Sequence, residues 1–149
     1  MRAVKVTNDA QLRDCLSIRR QVFIEEQRVP EELEIDEFDQ PDRAVHMLLY
    51  DDDGAPMATA RFRPYHPGDP HTAKVQRVAV LAHARGRGLG RRVMQAVEDL
   101  VREDGFQEIV LDAQLHAEPF YLKLGYRRTS DDVFDDAGIP HVRMQKSLT

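Results

Sequence analysis

One cysteine, Cys15, is all the chain carries. That excludes an internal disulfide and any cysteine zinc cluster. No apolar run approaches the roughly 20 residues needed to cross a bilayer. The opening Met1-Arg2-Ala3-Val4-Lys5-Val6 is too short in apolar residues for a secretion signal. A cytoplasmic location without a membrane partner is expected. A surplus of positive charge is also missing. Lys plus Arg total 21 against 26 for Asp plus Glu, a formal net charge of −5. Binding to a phosphate backbone needs the opposite sign, so no nucleic-acid partner is expected. Repeats and low-complexity tracts are absent as well. His66 and His71 flank a Pro/Gly loop, but no third ligand stands at metal spacing, and no metal is expected.

What is present fits one domain spanning residues 1–149, long enough to bury a sizeable core. The 42% hydrophobic and 32% charged residues are an ordinary balance for a folded chain. The charges are unevenly spread. Arg85, Arg87, Arg91 and Arg92 fall close together, whereas acids gather from Glu25 to Asp42 and from Asp131 to Asp136. This polarity suggests an anionic cofactor at the basic spot and a cationic substrate at an acidic one, with plain solvated surface as the alternative for both.

Met1 to Thr7 reads as a strand, and Asn8 and Asp9 can cap a helix starting near Ala10. Leu12, Leu16, Arg19 and Phe23 recur at helical spacing, with Cys15, Ile18 and Val22 widening the face. The acidic stretch 28–43, with Pro30 and Pro41, reads as a loop holding at most a short helical turn. Val45–Tyr50, the turn Asp52-Asp53-Gly54 and Pro56–Tyr65 form a hairpin, and His66 to Pro70 breaks the chain. Lys74–Val80 is a central strand. Leu89, Val93, Val97 and Leu100 mark a long helix closed by Gly105. Ile109–Leu111 is a buried strand, Ala117–Leu124 a shorter helix, and strands follow near Tyr126–Thr129 and His141–Lys146. The hairpin requires antiparallel pairing, and the long helix permits a parallel crossover. The expected fold is α/β in the mixed, α+β sense: a central, mostly antiparallel sheet flanked by helices.

The most informative segment is Arg85-Gly86-Arg87-Gly88-Leu89-Gly90-Arg91, between a strand and a helix. Glycines allow close approach and positive φ. The N–H groups at a helix start favour an anion, and arginines add charge-assisted contacts. Together these make a pyrophosphate cradle. A Walker loop would need Lys-Ser/Thr after the last glycine, and a Rossmann loop a different spacing near a βαβ start. A kinase loop would need a longer chain.

Arg85-x-x-Gly88-x-Gly90 resembles the R/Q-x-x-G-x-G/A motif of the GNAT acetyltransferases. Ala117-Glu118-Pro119-Phe120-Tyr121-Leu122-Lys123-Leu124-Gly125-Tyr126 resembles that family's A-x-x-F-Y-x-K-x-G-F segment. The resemblance covers roughly residues 45 to 147. Arg20 to Gln27, Glu34-Ile35-Asp36, Ala113 to His116 and Gly138 to His141 look like the small bacterial ElaA/YjcF-type branch. The resemblance implies the acyl-CoA N-acyltransferase fold, acetyl-CoA as cofactor and a primary amine, on a small molecule or a protein, as acceptor. It leaves oligomeric state open, a homodimer included.

By the same resemblance, the backbone of Val78, Ala79 and Val80 holds the pantetheine arm. Arg85, Gly86, Arg87, Gly88, Leu89, Gly90 and Arg91 hold the pyrophosphate, with Lys123 beside them. Tyr121 serves the leaving thiolate. Many members use a glutamate base on the central strand, but Gln76 stands there and cannot act as one. His116 and His141 are the substitutes, because imidazole is the side chain that titrates near neutrality. Glu25, Glu26, Glu34 and Asp36 are candidates to receive an ammonium group, and Phe23, Arg61 and Gln114 to line the acceptor. Cys15 reads as core.

Two other readings compete. Arg20 to Phe23, Glu34-x-Asp36-x-x-Asp39 and Arg61-x-x-Pro64 also look like the N-terminal half of acyl-homoserine-lactone synthases, which are longer chains. A CoA-binding sensor without turnover would explain Gln76.

Overall fold

The computed structural model describes residues 1–40 and 42–149. Pro41, read above as part of a loop, lies outside the described residues. Strand β1 (Arg2–Lys5) leads into helix α1 (Asp9–Arg19). Asn8 caps it, its Oδ1 accepting the Gln11 N–H at 2.9 Å, which satisfies one of the donors a helix start leaves free. The helix then widens into one π-helical segment, Arg20–Glu26. Leu12, Cys15, Ile18 and Val22 are buried along this face. Arg28, with φ 61°, reverses the chain, and Pro30 opens the short helix α2 (Glu31–Glu34) inside the expected loop.

The hairpin forms as expected from β2 (Val45–Tyr50) and β3 (Pro56–Pro64), and β4 (Thr72–Val80) follows. After the glycine loop come α3 (Leu89–Glu103), β5 (Glu108–Gln114), α4 (Glu118–Lys123), β6 (Arg127–Arg128), β7 (Phe134–Asp136) and β8 (Ile139–Ser147). Strand β5 runs past the apolar trio Ile109–Leu111 because β8 pairs with it as far as Gln114. Strand β7 differs from the reading of an acidic surface stretch. Its backbone pairs with β8 at Phe134–His141 and Asp136–Ile139, and ladder bonds do not depend on apolar side chains.

The strands form one sheet in the order β1-β2-β3-β4-β5-β8-β6, with β7 also on β8. Among the described residues only β4 and β5 run parallel, and α3 makes the crossover between them. Both α1 and α3 pack on β3, which explains why β3 is buried along most of its length. Leu89, Val93, Met94, Val97 and Val101 give α3 its apolar face, repeating at the spacing that puts residues on one side of a helix. The core thus sits on both sides of the central strands, and the open space falls where β4 and β5 part.

Candidate active site

Strands β4 and β5 pair only at Thr72–Glu108, Ala73–Ile109 and Lys74–Val110. Beyond that point each follows its other neighbour, β4 with β3 as far as Val80 and β5 with β8 as far as Gln114. The cause of the parting is visible in β4. Its register against β3 shifts between Thr59–Ala79 and Arg61–Gln76, and Arg77 takes φ 57° at that shift. A bulge bends the strand that carries it. A left-handed residue other than glycine costs on the order of 1–3 kcal/mol. The Arg77 side chain opposes this cost: Nη2 donates to the Leu33 carbonyl at 3.1 Å and Nε to the Glu34 carbonyl at 3.3 Å. Arg77 was not singled out from the sequence, because a bulge is a mismatch between two strands and one strand does not show it.

The parted strands enclose a cavity of about 460 Å³. Val78, Ala79, Val80, Arg85, Tyr121, His116, His141, Phe23, Glu26 and Gln114 all border it. The structure therefore brings together most of the predicted site residues. Tyr121 is 8% exposed, and burial pushes its phenol up to about 12. His141 is also 8% exposed. It pairs with Gln114 across β5 and β8, and its ring stacks on Phe134 at 6.1 Å. Its Nδ1 lies 2.7 Å from the Ile139 carbonyl. A carbonyl only accepts, so Nδ1 carries the proton, and Nε2 of the neutral ring keeps its lone pair. His116 is exposed on the turn Leu115–Ala117, at the same cavity.

Gln76 also borders the cavity. Its Oε1 accepts from Arg61 Nη2 at 3.2 Å and from Arg63 Nε at 3.3 Å. The amide thus turns its NH2 end away from the arginines as a donor. It offers no basic atom.

At the far end lies the glycine loop. Gly86 and Gly88 have φ of 81° and 73°, with nothing within 4 Å of where a Cβ would stand. Gly88 caps α3. Open backbone ahead of a helix start suits a pyrophosphate, and the β4 backbone facing β5 beyond Lys74 has no strand partner. These two features fit an acyl-CoA, its arm along β4 and its phosphates at the loop.

Several predicted residues sit away from the cavity wall. Gly90 is in the first turn of α3, where a Cβ would meet the Phe120 ring at 3.2 Å, and its N–H is among those a helix start leaves free. The Leu89 side chain is core, 2% exposed, leaving only its backbone to the loop. Arg91 and Lys123 do not border the main cavity. They line a separate pocket of about 300 Å³ with Glu98 and Lys146. Arg61 is 1% exposed and absent from the cavity wall. It grips Asp36 through Nη1 and Nη2, both at 2.7 Å, and Asp39 at 2.8 Å.

Glu34 and Asp36 are likewise committed. Arg19 Nε donates to Glu34 at 2.8 Å, and Arg77 pairs with Asp36 at 3.4 Å. Burial pushes Asp39 up, but the hydrogen bond and charge of Arg19 outweigh it and hold the carboxyl well below the usual range. Burial dominates at Glu34 and raises it, against the pull of Arg77 and Arg19. These ions form a largely buried scaffold that reaches the cavity wall at Glu34 and Arg77. Alternation of charges in sequence does not reveal such a network. Cys15 is fully buried, as read, and burial pushes its thiol up to about 11.

Among the described residues no three His, Cys, Asp or Glu side chains form a metal-sized group. Among them no helix is long and apolar enough to cross a membrane.

The sequence profile of the acetyltransferase (GNAT) domain matches residues 5–148. The Bacillus subtilis protein YjcF, described as an uncharacterized N-acetyltransferase, is 40% identical over 146 residues, covering 98% of this chain and 99% of that one. A Lactobacillus plantarum structure provisionally assigned as an N-acetyltransferase superposes with a TM-score of 0.89 at 29% identity, covering 99% and 98% of the two chains. Escherichia coli ElaA superposes with a TM-score of 0.83 at 26% identity, covering 97% and 98%. With the parted strands, the glycine loop and these likenesses in agreement, the chain belongs to the GNAT acetyltransferase family and is an N-acetyltransferase that draws its acetyl group from acetyl-CoA.

Proposed function

We propose that this protein transfers the acetyl group to a primary amine by direct attack in a ternary complex. The observation that carries this reading is the cavity between β4 and β5, open from the bulge at Arg77 to the loop at Arg85 and bordered by both Tyr121 and His141. Acetyl-CoA supplies the thioester carbonyl that the amine attacks and the thiol that leaves. The chain's own groups bind, orient and handle protons. The backbone of Val78–Val80 holds the arm by the groups β5 does not pair. Arg85, Gly86, Arg87 and Gly88 hold the phosphates. Arg91 and Lys123 add positive charge along the outer side of α3.

His141 takes the amine proton at Nε2, since its Nδ1 proton is held by Ile139. His116 is the more exposed second candidate. Tyr121 keeps its proton through the neutral range and donates a hydrogen bond to the departing sulfur. Phe23, Glu26 and Gln114 face the acceptor.

The test is melting with acetyl-CoA, followed by release of free thiol against a panel of primary amines. A ligand that binds only the folded state raises the melting temperature. The expected result is a rise with acetyl-CoA and amine-dependent thiol release. No rise at millimolar acetyl-CoA removes the reading. A rise with no release against any amine favours a CoA-binding sensor, the reading Gln76 alone would support.

A further inference from the structure

We infer that Glu26 receives the ammonium group of the acceptor, and that the cofactor frees it to do so by taking over Arg85. This rests on the acetyl-CoA reading above. Arg85 stands at the start of the phosphate loop, yet all three of its nitrogens are engaged. Nη1 and Nη2 donate to the two Glu26 oxygens at 2.8 and 2.9 Å, and Nε donates to the Val80 carbonyl at 3.1 Å. The same guanidinium fork suits a carboxylate or a phosphate, but not both at once. The two side chains are 46% and 37% exposed, and an exposed pair is weak. A pyrophosphate, with more charge and the helix start behind it, displaces the carboxylate.

Once displaced, Glu26 stays on the cavity wall. Its neighbour Gln27 is tied to Gln114 at the end of β5 by two amide bonds, Gln114 Nε2 to Gln27 Oε1 at 2.8 Å and Gln27 Nε2 to Gln114 Oε1 at 3.3 Å. Neither bond involves the loop. The other acids bordering the cavity are Glu34, Asp112 and Asp136. Arg19 and Arg77 hold Glu34, and Lys74 and Arg143 hold Asp112. Asp136 stands on β7, apart in sequence from any loop arginine. Phe23, Val29 and Leu33 border the same cavity as Glu26. The acceptor class that matches is a primary ammonium on an apolar body. Cofactor and acceptor binding are then coupled through one carboxylate, and such coupling is reciprocal.

Calorimetry with CoA and benzylammonium tests this without turnover, with benzyl alcohol as the uncharged control. Wild type should bind benzylammonium about threefold or more tightly once CoA is saturating. Glu26→Gln should bind CoA about threefold tighter, the competitor being gone, in line with the strength of an exposed pair. It should also lose the CoA-dependent gain for benzylammonium, whereas Asp136→Asn keeps it. Benzyl alcohol should respond to neither change. Unaltered or weaker CoA binding by folded Glu26→Gln overturns the proposal, as does benzylammonium binding that ignores CoA, is undetectable, or depends on Asp136 instead. These outcomes leave the cofactor reading standing. Wild type that binds no CoA removes both.

Discussion

Tyr121 shows how burial alters a role that the motif alone suggests. A phenol pushed up to about 12 stays protonated through the working range. A thiolate, near ~8.5 by analogy with cysteine, is a weaker base than that phenolate. Full proton transfer to sulfur is therefore uphill, and the role proposed for Tyr121 is that of a hydrogen-bond donor to the developing charge. Such donors are commonly worth ~10²-fold or more in kcat. Tyr121→Phe keeps the ring that meets Phe120 at 5.0 Å and Tyr126 at 5.7 Å. We expect single-turnover chemistry to fall by ~10²-fold with acetyl-CoA affinity nearly unchanged, and the loss to be the same across the pH range below about 11. Near-normal single-turnover chemistry would leave Tyr121 a packing residue.

At the scale of elements, α3 and α4 meet through a missing side chain. A Cβ on Gly90 would press the Phe120 ring at 3.2 and 3.3 Å, and Phe120 precedes Tyr121 on α4. Overpacking of this kind costs ~1–3 kcal/mol. Gly90→Ala should therefore lower the melting temperature by several degrees and reduce kcat by moving Tyr121. Because the loop backbone at Gly86 and Gly88 is untouched, CoA affinity should change little. A variant that loses CoA binding while keeping its melting temperature would show that Gly90 serves the cofactor rather than the packing. The bulge at Arg77 is a second joint of this type, since it bends β4 and its guanidinium holds α2.

At the scale of the whole molecule, the buried ions join four separate segments. Arg19 of α1, Glu34 of α2, Asp39 of the following turn and Arg61 of β3 are each nearly inaccessible. Removing one partner of a buried pair costs ~3–5 kcal/mol, because a charge is left without its counter-ion. Asp39→Asn should destabilise by about that amount at pH 7 in a denaturant titration.

The sign with pH follows from the shift. The folded carboxyl titrates below its unfolded value near ~3.9. Its contribution is thus present above ~3.9 and lost as pH falls through the lower folded value, where the unfolded chain binds the proton first. Asp36 and Asp112 are also depressed and add to the same acid loss. Glu34, raised by burial, acts in the opposite sense, favouring the folded state less as pH rises past its unfolded value. Wild type should lose stability below about pH 4, and Asp39→Asn should lose less over that interval. An equal acid loss in both would place the dependence elsewhere.

Local chemistry was legible in the sequence. Apolar spacing marked α3, turn residues marked the β2–β3 hairpin, and alternating glycines with arginines marked the loop ahead of α3, because each feature acts within a few residues of itself. The motif around Tyr121 singled out a side chain that borders the cavity. Tertiary structure decided what depends on distant partners. It parted β4 from β5 through a bulge seen only in register, and it added β7 by backbone pairing alone. It buried Arg61 and Glu34 and held Asp36 among arginines, where the sequence offered all three to the acceptor, and it set Gly90 against Phe120. It also separated Glu26 from the other acids of its stretch. A charge is a site or a scaffold according to which counter-ions fold against it, and those counter-ions lie tens of residues away along the chain.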